Sequence, residues 1–170
     1  MRTAISGSVG VILIAAASLC TLTPIAGAGE KLLAVDSNHI AIKGYDTVAY
    51  FTDGKAVKGS GQFEYVYDDA RWRFSSAAHR EMFVADPDRY MPRYGTYCAA
   101  CVATKECAAV FPDHPGDPES WTIVDGKLYM FGCRQCKKTI DHWRANSAEN
   151  IRQANAHWTA IQQRYAARQQ

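Results

Sequence analysis

Five cysteines are the residues of this sequence whose types and spacing point most directly to chemistry. They follow the pattern C-x2-C-x5-C-x25-C-x2-C and are Cys98, Cys101, Cys107, Cys133 and Cys136. Two thiolates separated by two residues face one ion from a single turn of chain, and a second such pair completes a tetrahedral sulfur cage. Soft thiolates favour Cu(I), zinc and iron–sulfur clusters, and the spacing matches no common ferredoxin run. We therefore predict a site for Cu(I) or Zn(II) built from the two pairs, with Cys107 as a fifth or exchange ligand.

The same cysteines also allow a purely structural interpretation. Exported chains oxidise their cysteines, and five thiols make two disulfides with one left over. The odd number argues against a disulfide framework, as does a chain long enough to bury a core without crosslinks. A disulfide-stabilised interaction module is nevertheless one alternative function.

Redox chemistry at the second cysteine pair is the other alternative. Cys133 is predicted to open a helix, and a helix N-terminus together with Arg134, Lys137 and Lys138 favours a thiolate. A thiol–disulfide oxidoreductase or electron carrier would use Cys133 as nucleophile and Cys136 as the resolving thiol. Because the chain beyond this pair lacks the strands of a thioredoxin fold, we expect a binding protein rather than an enzyme.

The elements that must position the cysteines begin with strands. A short strand is predicted over residues 48–51. Residues 62–74 alternate in polarity as a half-buried hairpin does. Asp125-Gly126 is a strong turn signal and predicts a second hairpin, formed by residues 121–124 and 127–131.

Helices are predicted between and after the hairpins. Ser75-Ser76 caps one that ends at Asp86-Pro87, residues 97–105 form a second, and residues 133–143 form a third. The last helix has an apolar stripe formed by Ile151, Ala154, Trp158, Ile161 and Tyr165. We expect this stripe to pack on the domain's own core, with a homodimer seam as the alternative. The predicted fold class is α+β: a small single domain with β-hairpins, short cysteine-bearing helices and a C-terminal amphipathic helix.

The first 28 residues have the features of a cleaved secretory signal peptide. Arg2 precedes an apolar run over residues 9–19, and Ala26-Gly27-Ala28 is a small-x-small cleavage site. The run is well short of the roughly 20 residues that span a bilayer. We therefore predict secretion across the inner membrane into the periplasm, loss of Cys20 with the signal, and no membrane span in the remaining protein. Residues 29–170 are predicted to form one domain with a C-terminal helical extension.

The charge balance excludes several function classes. Without Arg2, 18 basic residues face 17 acidic ones, so nucleic acid and acidic membranes are not expected partners. No triad pattern, phosphate loop or paired carboxylates support hydrolase or nucleotide chemistry. We interpret Tyr45-Asp46 as a buried, hydrogen-bonded turn and His79 as a packing histidine. His114 follows Cys107 in a proline-rich loop and is a candidate additional metal donor.

Several collinear stretches between about residues 40 and 160 resemble a known family. They are 42–51 (IKGYDTVAYF), 72–79 (WRFSSAAH), 85–90 (ADPDRY), 94–99 (YGTYCA) and 121–129 (WTIVDGKLY). On these motifs the chain resembles the exported YHS-domain proteins. The resemblance implies a small α+β domain associated with heavy metals and copper handling, without a well-defined enzymatic activity. Of the five cysteines, only Cys98, which follows Tyr97, corresponds to a cysteine of that family. The other four are additions of this chain.

These observations predict a periplasmic binding protein for a soft metal ion, used in metal handling or homeostasis. Its expected partners are the metal ion and a metal-donor or redox protein.

Overall fold

The structure is a computed structural model that describes residues 32–109, 114–132 and 137–168. The predicted signal peptide and the second cysteine pair, Cys133 and Cys136, lie outside these residues. None of the helices in the described ranges is long and apolar enough to cross a membrane. The architecture is α+β, as predicted, with two small antiparallel hairpins and a long C-terminal helix.

Seven helices and four strands are described, together with two short 3₁₀ segments, Ile42–Gly44 and Arg93–Thr96. In chain order they are α1 (Ala49–Thr52), β1 (Ser60–Tyr67), β2 (Ala70–Phe74), α2 (Ala77–Ala85), α3 (Pro87–Tyr90), α4 (Ala99–Ala103), α5 (Lys105–Ala109), β3 (Asp117–Val124), β4 (Lys127–Phe131), α6 (Lys137–Ala145) and α7 (Ser147–Arg168). Strand β1 pairs with β2, and β3 pairs with β4, in two separate sheets.

Both hairpins lie where the sequence predicts them. Each closes through a two-residue turn in which both residues have positive φ: 50° and 56° at Asp68 and Asp69, and 49° and 68° at Asp125 and Gly126. This is the left-handed backbone that tight hairpin turns need, and aspartate and glycine tolerate it. The twist of each hairpin is therefore set by local sequence.

The prediction of a strand over residues 48–51 is wrong, because this segment forms helix α1 (Ala49–Thr52). The apolar run has strand-like composition, but the side chain of Asp46 decides its conformation. Asp46 Oδ1 accepts hydrogen bonds from the backbone N–H groups of Val48, at 2.9 Å, and Ala49, at 3.3 Å. Side-chain acceptors of this kind satisfy the first N–H groups of a helix and start it.

The helix predicted over residues 97–105 is interrupted at Thr104, which is extended with φ −95° and ψ 136°. The backbone N–H and the hydroxyl of Thr104 both donate to the carbonyl of Cys101, each at 3.1 Å. These local bonds end α4 after one turn, and α5 starts at the next residue. Cys98 is the N-cap residue of α4 instead of lying inside a helix.

Strand β4 is buried on both faces and contributes to two apolar clusters. Leu128 and Met130 pack with the first hairpin, α2 and α3. Tyr129 and Phe131 pack with α4, α6 and α7. Because side chains alternate across a strand, one short strand divides the core into two halves.

The apolar stripe of α7 packs against the protein's own core, as predicted. Ala154 and Ile161 are buried, and the other stripe residues, Ile151, Trp158 and Tyr165, pack against the same cluster. The helix therefore covers α4 and the cysteine-bearing region next to it.

The first hairpin supplies a testable dependence of stability on pH. The carboxylate of Glu64 accepts from Arg71 Nε at 2.8 Å and from Arg73 Nε at 3.1 Å. Burial raises the pKa of this carboxyl, but the hydrogen bonds and charges of the two arginines outweigh burial and lower the pKa below 4.5. A lowered folded-state pKa contributes stability that is present above the unfolded-state value and is lost as pH falls.

We therefore expect Glu64→Gln to reduce the free energy of unfolding by about 1 kcal/mol at neutral pH. This difference from the wild type should shrink as pH falls through and below 4.5. Urea unfolding at a series of pH values measures it, with Glu81→Gln, at an exposed position of α2, as the matched control. A difference that stays constant across the acidic range would contradict the prediction.

Candidate functional site

Cys98 is fixed by backbone contacts on two sides. Its N–H donates to the carbonyl of His114 at 2.9 Å, and it forms a parallel bridge with Met130 of β4. Its carbonyl accepts from Val102 N at 3.0 Å within α4. The half-buried thiol forms no disulfide with another described cysteine. One residue thus joins α4, the chain entering β3, and β4.

Cys101 and Cys107 form a disulfide, with their Cα atoms 5.2 Å apart. The two residues lie on the consecutive short helices α4 and α5, and the extended residue Thr104 between them folds one helix back towards the other. This pairing was not singled out from the sequence, which indicated only that five thiols make two disulfides with one left over. Spacing alone does not determine disulfide connectivity.

His114 lies beside this disulfide, seven residues beyond Cys107. Its Nδ1 is 3.9 Å from Cys107 Sγ. The sulfur atoms of Cys101 and Cys107 and a ring nitrogen of His114 all lie within 4.8 Å of one another. Cys101 is 7% exposed, Cys107 is half-buried and His114 is exposed, so the group lies at the surface and opens outward.

Gly132 brings the end of β4 against Cys98. A β-carbon placed on this glycine would lie 3.3 Å from Cys98 Cβ and 3.6 Å from Cys98 Sγ. The glycine thus allows a close approach that a larger residue would obstruct. In the sequence it is followed directly by Cys133.

Helix α7 satisfies the last carbonyls of both cysteine-bearing helices. The carbonyl of Val102 in α4 accepts from His157 Nδ1 at 2.9 Å. The carbonyl of Ala108 in α5 accepts from Arg164 Nη2 at 2.6 Å. Since helix C-termini carry unpaired carbonyls and partial negative charge, these contacts fix two very short helices that would be marginal alone.

The five predicted metal ligands therefore separate into three groups. Cys101 and Cys107 are joined, Cys98 lies nearby at the start of α4, and Cys133 and Cys136 are outside the described residues. A disulfide sulfur is not a thiolate, so metal binding by Cys101 and Cys107 requires prior reduction. The metal-site prediction stays a prediction.

A second polar cluster surrounds the buried carboxylate of Asp46. Its Oδ2 accepts from the N–H of Ser75 at 2.8 Å and from the Ser75 hydroxyl at 2.6 Å, and lies 2.7 Å from His79 Nδ1. The interpretation of Tyr45-Asp46 as a buried, hydrogen-bonded turn is confirmed for Asp46, whereas Tyr45 is half-buried and forms a β-bridge with Lys58. The contact with His79 was missed, because residues 33 positions apart give no spacing signal.

The geometry of this cluster shows that Ser75 is not the hydroxyl partner of a relay through His79. Ser75 and Asp46 both contact the same ring nitrogen of His79, Nδ1. A catalytic relay needs the carboxylate and the hydroxyl on opposite nitrogens. The opposite nitrogen, Nε2, lies 3.3 Å from the hydroxyl of Thr52. The Asp46 carboxylate also satisfies backbone N–H groups of two segments, which is a structural role.

No protein-family model, curated protein or solved structure was found to match this chain. The resemblance to the YHS-domain proteins therefore stays a prediction from the sequence.

The Asp46 cluster predicts a large loss of stability on truncation. Asp46→Ala would leave the buried N–H groups of Val48 and Ala49 and the partly buried N–H of Ser75 without this acceptor. We expect it to lower the free energy of unfolding by about 3 kcal/mol or more. Asp141→Ala, at an exposed position of α6 outside this cluster, is the control and should change it by less than about 1 kcal/mol. Denaturant unfolding measures both, and equal effects at the two positions would contradict the structural role of Asp46.

The cysteine pairing predicts a specific peptide map. Trypsin separates Cys101 and Cys107 into peptides 94–105 and 106–127. In air-oxidised protein we expect these two peptides to be linked until a reductant is added, with Cys98 on the first peptide available to an alkylating reagent. Mass spectrometry of the non-reduced digest measures the linkage. A link from Cys98 to Cys107 would contradict the pairing.

Proposed function

We propose that this protein binds a soft metal ion, Cu(I) or Zn(II), through cysteine thiolates and serves in metal handling outside the cytoplasm. The observation that supports this most directly is the grouping of Cys101, Cys107 and His114, whose donor atoms lie within 4.8 Å of one another. Metal–sulfur bonds of about 2.3 Å place ligand atoms on one ion no more than about 4.6 Å apart. Once the disulfide is reduced, small side-chain movements therefore bring all three donors within reach of a single ion.

The position of Gly132 supports participation of the second cysteine pair. Cys133 directly follows Gly132, which lies within contact distance of Cys98, so the second pair begins next to a residue that contacts the first pair. The gap of 31 residues between Cys101 and Cys133, long for a zinc ribbon, contains hairpin β3–β4, which returns the chain to α4. Meeting of the two pairs in one thiolate site is part of the proposal.

The resemblance to YHS-domain proteins supports the same function independently of geometry. It implies an association with heavy metals and copper, and it aligns Cys98 with a cysteine of that family. On this proposal the protein is exported to the periplasm, where it receives its ion from a donor protein or from solution.

Thiol–disulfide exchange is the second candidate function, and the Cys101–Cys107 disulfide favours it. The bond closes a loop with a sequence separation of six, and its Cys107 half is partly exposed. A partner dithiol could therefore reach it, with Cys133 and Cys136 as the second redox pair. This function predicts exchange with a disulfide substrate in the absence of any metal.

Metal analysis of reduced protein tests the proposal. We expect anaerobically reduced wild-type protein, incubated with Zn(II) or Cu(I) and desalted, to retain about one ion per chain. Cys101→Ser combined with Cys107→Ser should lower its affinity at least tenfold, because two thiolate ligands are lost. Met82→Leu removes an exposed soft donor on α2, away from the cysteines, and should leave binding unchanged.

Elemental analysis by mass spectrometry and competition with a chromophoric chelator give the stoichiometry and affinity. Retention of less than a tenth of an ion per reduced chain, for both metals, would contradict the proposed function. Catalysed disulfide exchange under the same conditions would then favour the redox candidate.

A further inference from the structure

We infer that the Cys101–Cys107 disulfide is a redox gate on a Cys2His zinc site in which His114 is the third protein ligand. The inference rests on the proposed function and deepens it, because it names the ion, a ligand beyond the cysteines, and the control of binding. Two thiolates and one imidazole suit Zn(II), which accepts both ligand types and leaves a fourth position for water.

The first step of the argument is the distance between His114 and Cys107. For bonds of about 2.3 Å to sulfur and 2.0–2.1 Å to nitrogen, a tetrahedral ion separates the two ligand atoms by about 3.6 Å. In the oxidised protein His114 Nδ1 and Cys107 Sγ are 3.9 Å apart. The imidazole therefore already lies at nearly the ligand-to-ligand separation of a zinc site while the sulfur is still in a disulfide.

The second step is that the histidine is positioned by backbone contacts rather than by the disulfide. Its carbonyl accepts from Cys98 N at 2.9 Å, and the next residue, Pro115, bridges Tyr97. These contacts fix the backbone of His114 against the start of α4 and do not involve the sulfur atoms. They are expected to persist when the disulfide is reduced, so His114 remains near Cys101, which lies on α4.

The third step is that disulfide and metal exclude each other. A thiolate of a reducing dithiol attacks Sγ of Cys107, the more exposed half, and Cys101 leaves as a thiolate. The second thiol of the reductant then attacks the mixed disulfide, which releases the Cys107 thiolate and the oxidised reductant. Two electrons pass from the dithiol to the protein, and Zn(II) then binds both sulfurs and His114, displacing any protons that they carry.

The fourth step is that the polypeptide between the cysteines permits the change. Zinc ligands require the two sulfurs to be about 3.7 Å apart, whereas a disulfide holds them at about 2.05 Å. Thr104 is extended between α4 and α5, and the half-buried Cys107 lies on the outer of these helices. Side-chain rotation at Cys107 therefore supplies most of the movement, while Cys101 stays in the core.

The test is a Zn(II) titration of oxidised and reduced protein in the Cys133→Ser/Cys136→Ser background, which isolates the site, and in the wild type. We expect the reduced double variant to bind one Zn(II) and the oxidised form to bind at least 100-fold more weakly. His114→Ala should lower the affinity of the reduced form at least tenfold. The histidine side chain is exposed, so this substitution leaves the core intact, and His39→Ala, another exposed histidine, should have no effect.

Co(II) provides a readout of the ligands themselves. The reduced protein should show thiolate-to-cobalt charge-transfer absorption, and His114→Ala should shift the d–d bands without removing the charge transfer. Equal affinity of the oxidised and reduced forms, or an unchanged spectrum and affinity in His114→Ala, would overturn the inference.

The outcomes separate this inference from the proposed function. Reduced wild-type protein could bind a metal while the double variant binds Zn(II) equally well in both redox states, or while His114→Ala keeps the wild-type affinity. The thiolate function then stands and the gated Cys2His site is wrong. Binding of Cu(I) but not of Zn(II) by the reduced double variant would overturn the assignment of the ion. If no reduced form binds either metal, the proposed function fails as well.

Discussion

Burial of strand β4 on both faces fixes the register on which the rest of the structure depends. Leu128 and Met130 face one apolar cluster, whereas Tyr129 and Phe131 face the other. A slip of one residue would exchange these two pairs and misplace both halves of the core at once. The same register places Met130 beside Cys98, so the geometry of the cysteine region follows from core packing.

The buried carboxylate of Asp46 has a comparable role in the N-terminal half. A fully buried charge is costly unless its hydrogen-bonding capacity is used. Here one oxygen starts α1 through Val48 and Ala49, and the other contacts Ser75 and His79 before and within α2. One side chain thereby links two helix starts that lie about thirty residues apart.

The parts of the fold that were predictable are those whose signal is local. Asp125-Gly126 identified the second hairpin, and the spacing of the α7 stripe identified its buried face. Helix α1 was not predictable from its apolar run, because its conformation depends on a side chain outside that run. The Cys101–Cys107 pairing depends in turn on the break at Thr104, and the approach of His114 depends on backbone contacts made through the tertiary fold.

Support of α4 and α5 by α7 has a consequence for the order of events during synthesis. Cys101 and Cys107 are six residues apart, so they meet by closing a small loop that needs no distant segment and costs little entropy. His157 and Arg164, which secure the two helices, are about fifty residues later in the chain. A chain made from its N-terminus thus carries both sulfurs before the helix that fixes their surroundings exists. The covalent state of the two cysteines therefore responds to the redox conditions that the nascent segment meets before α7 packs against α4 and α5.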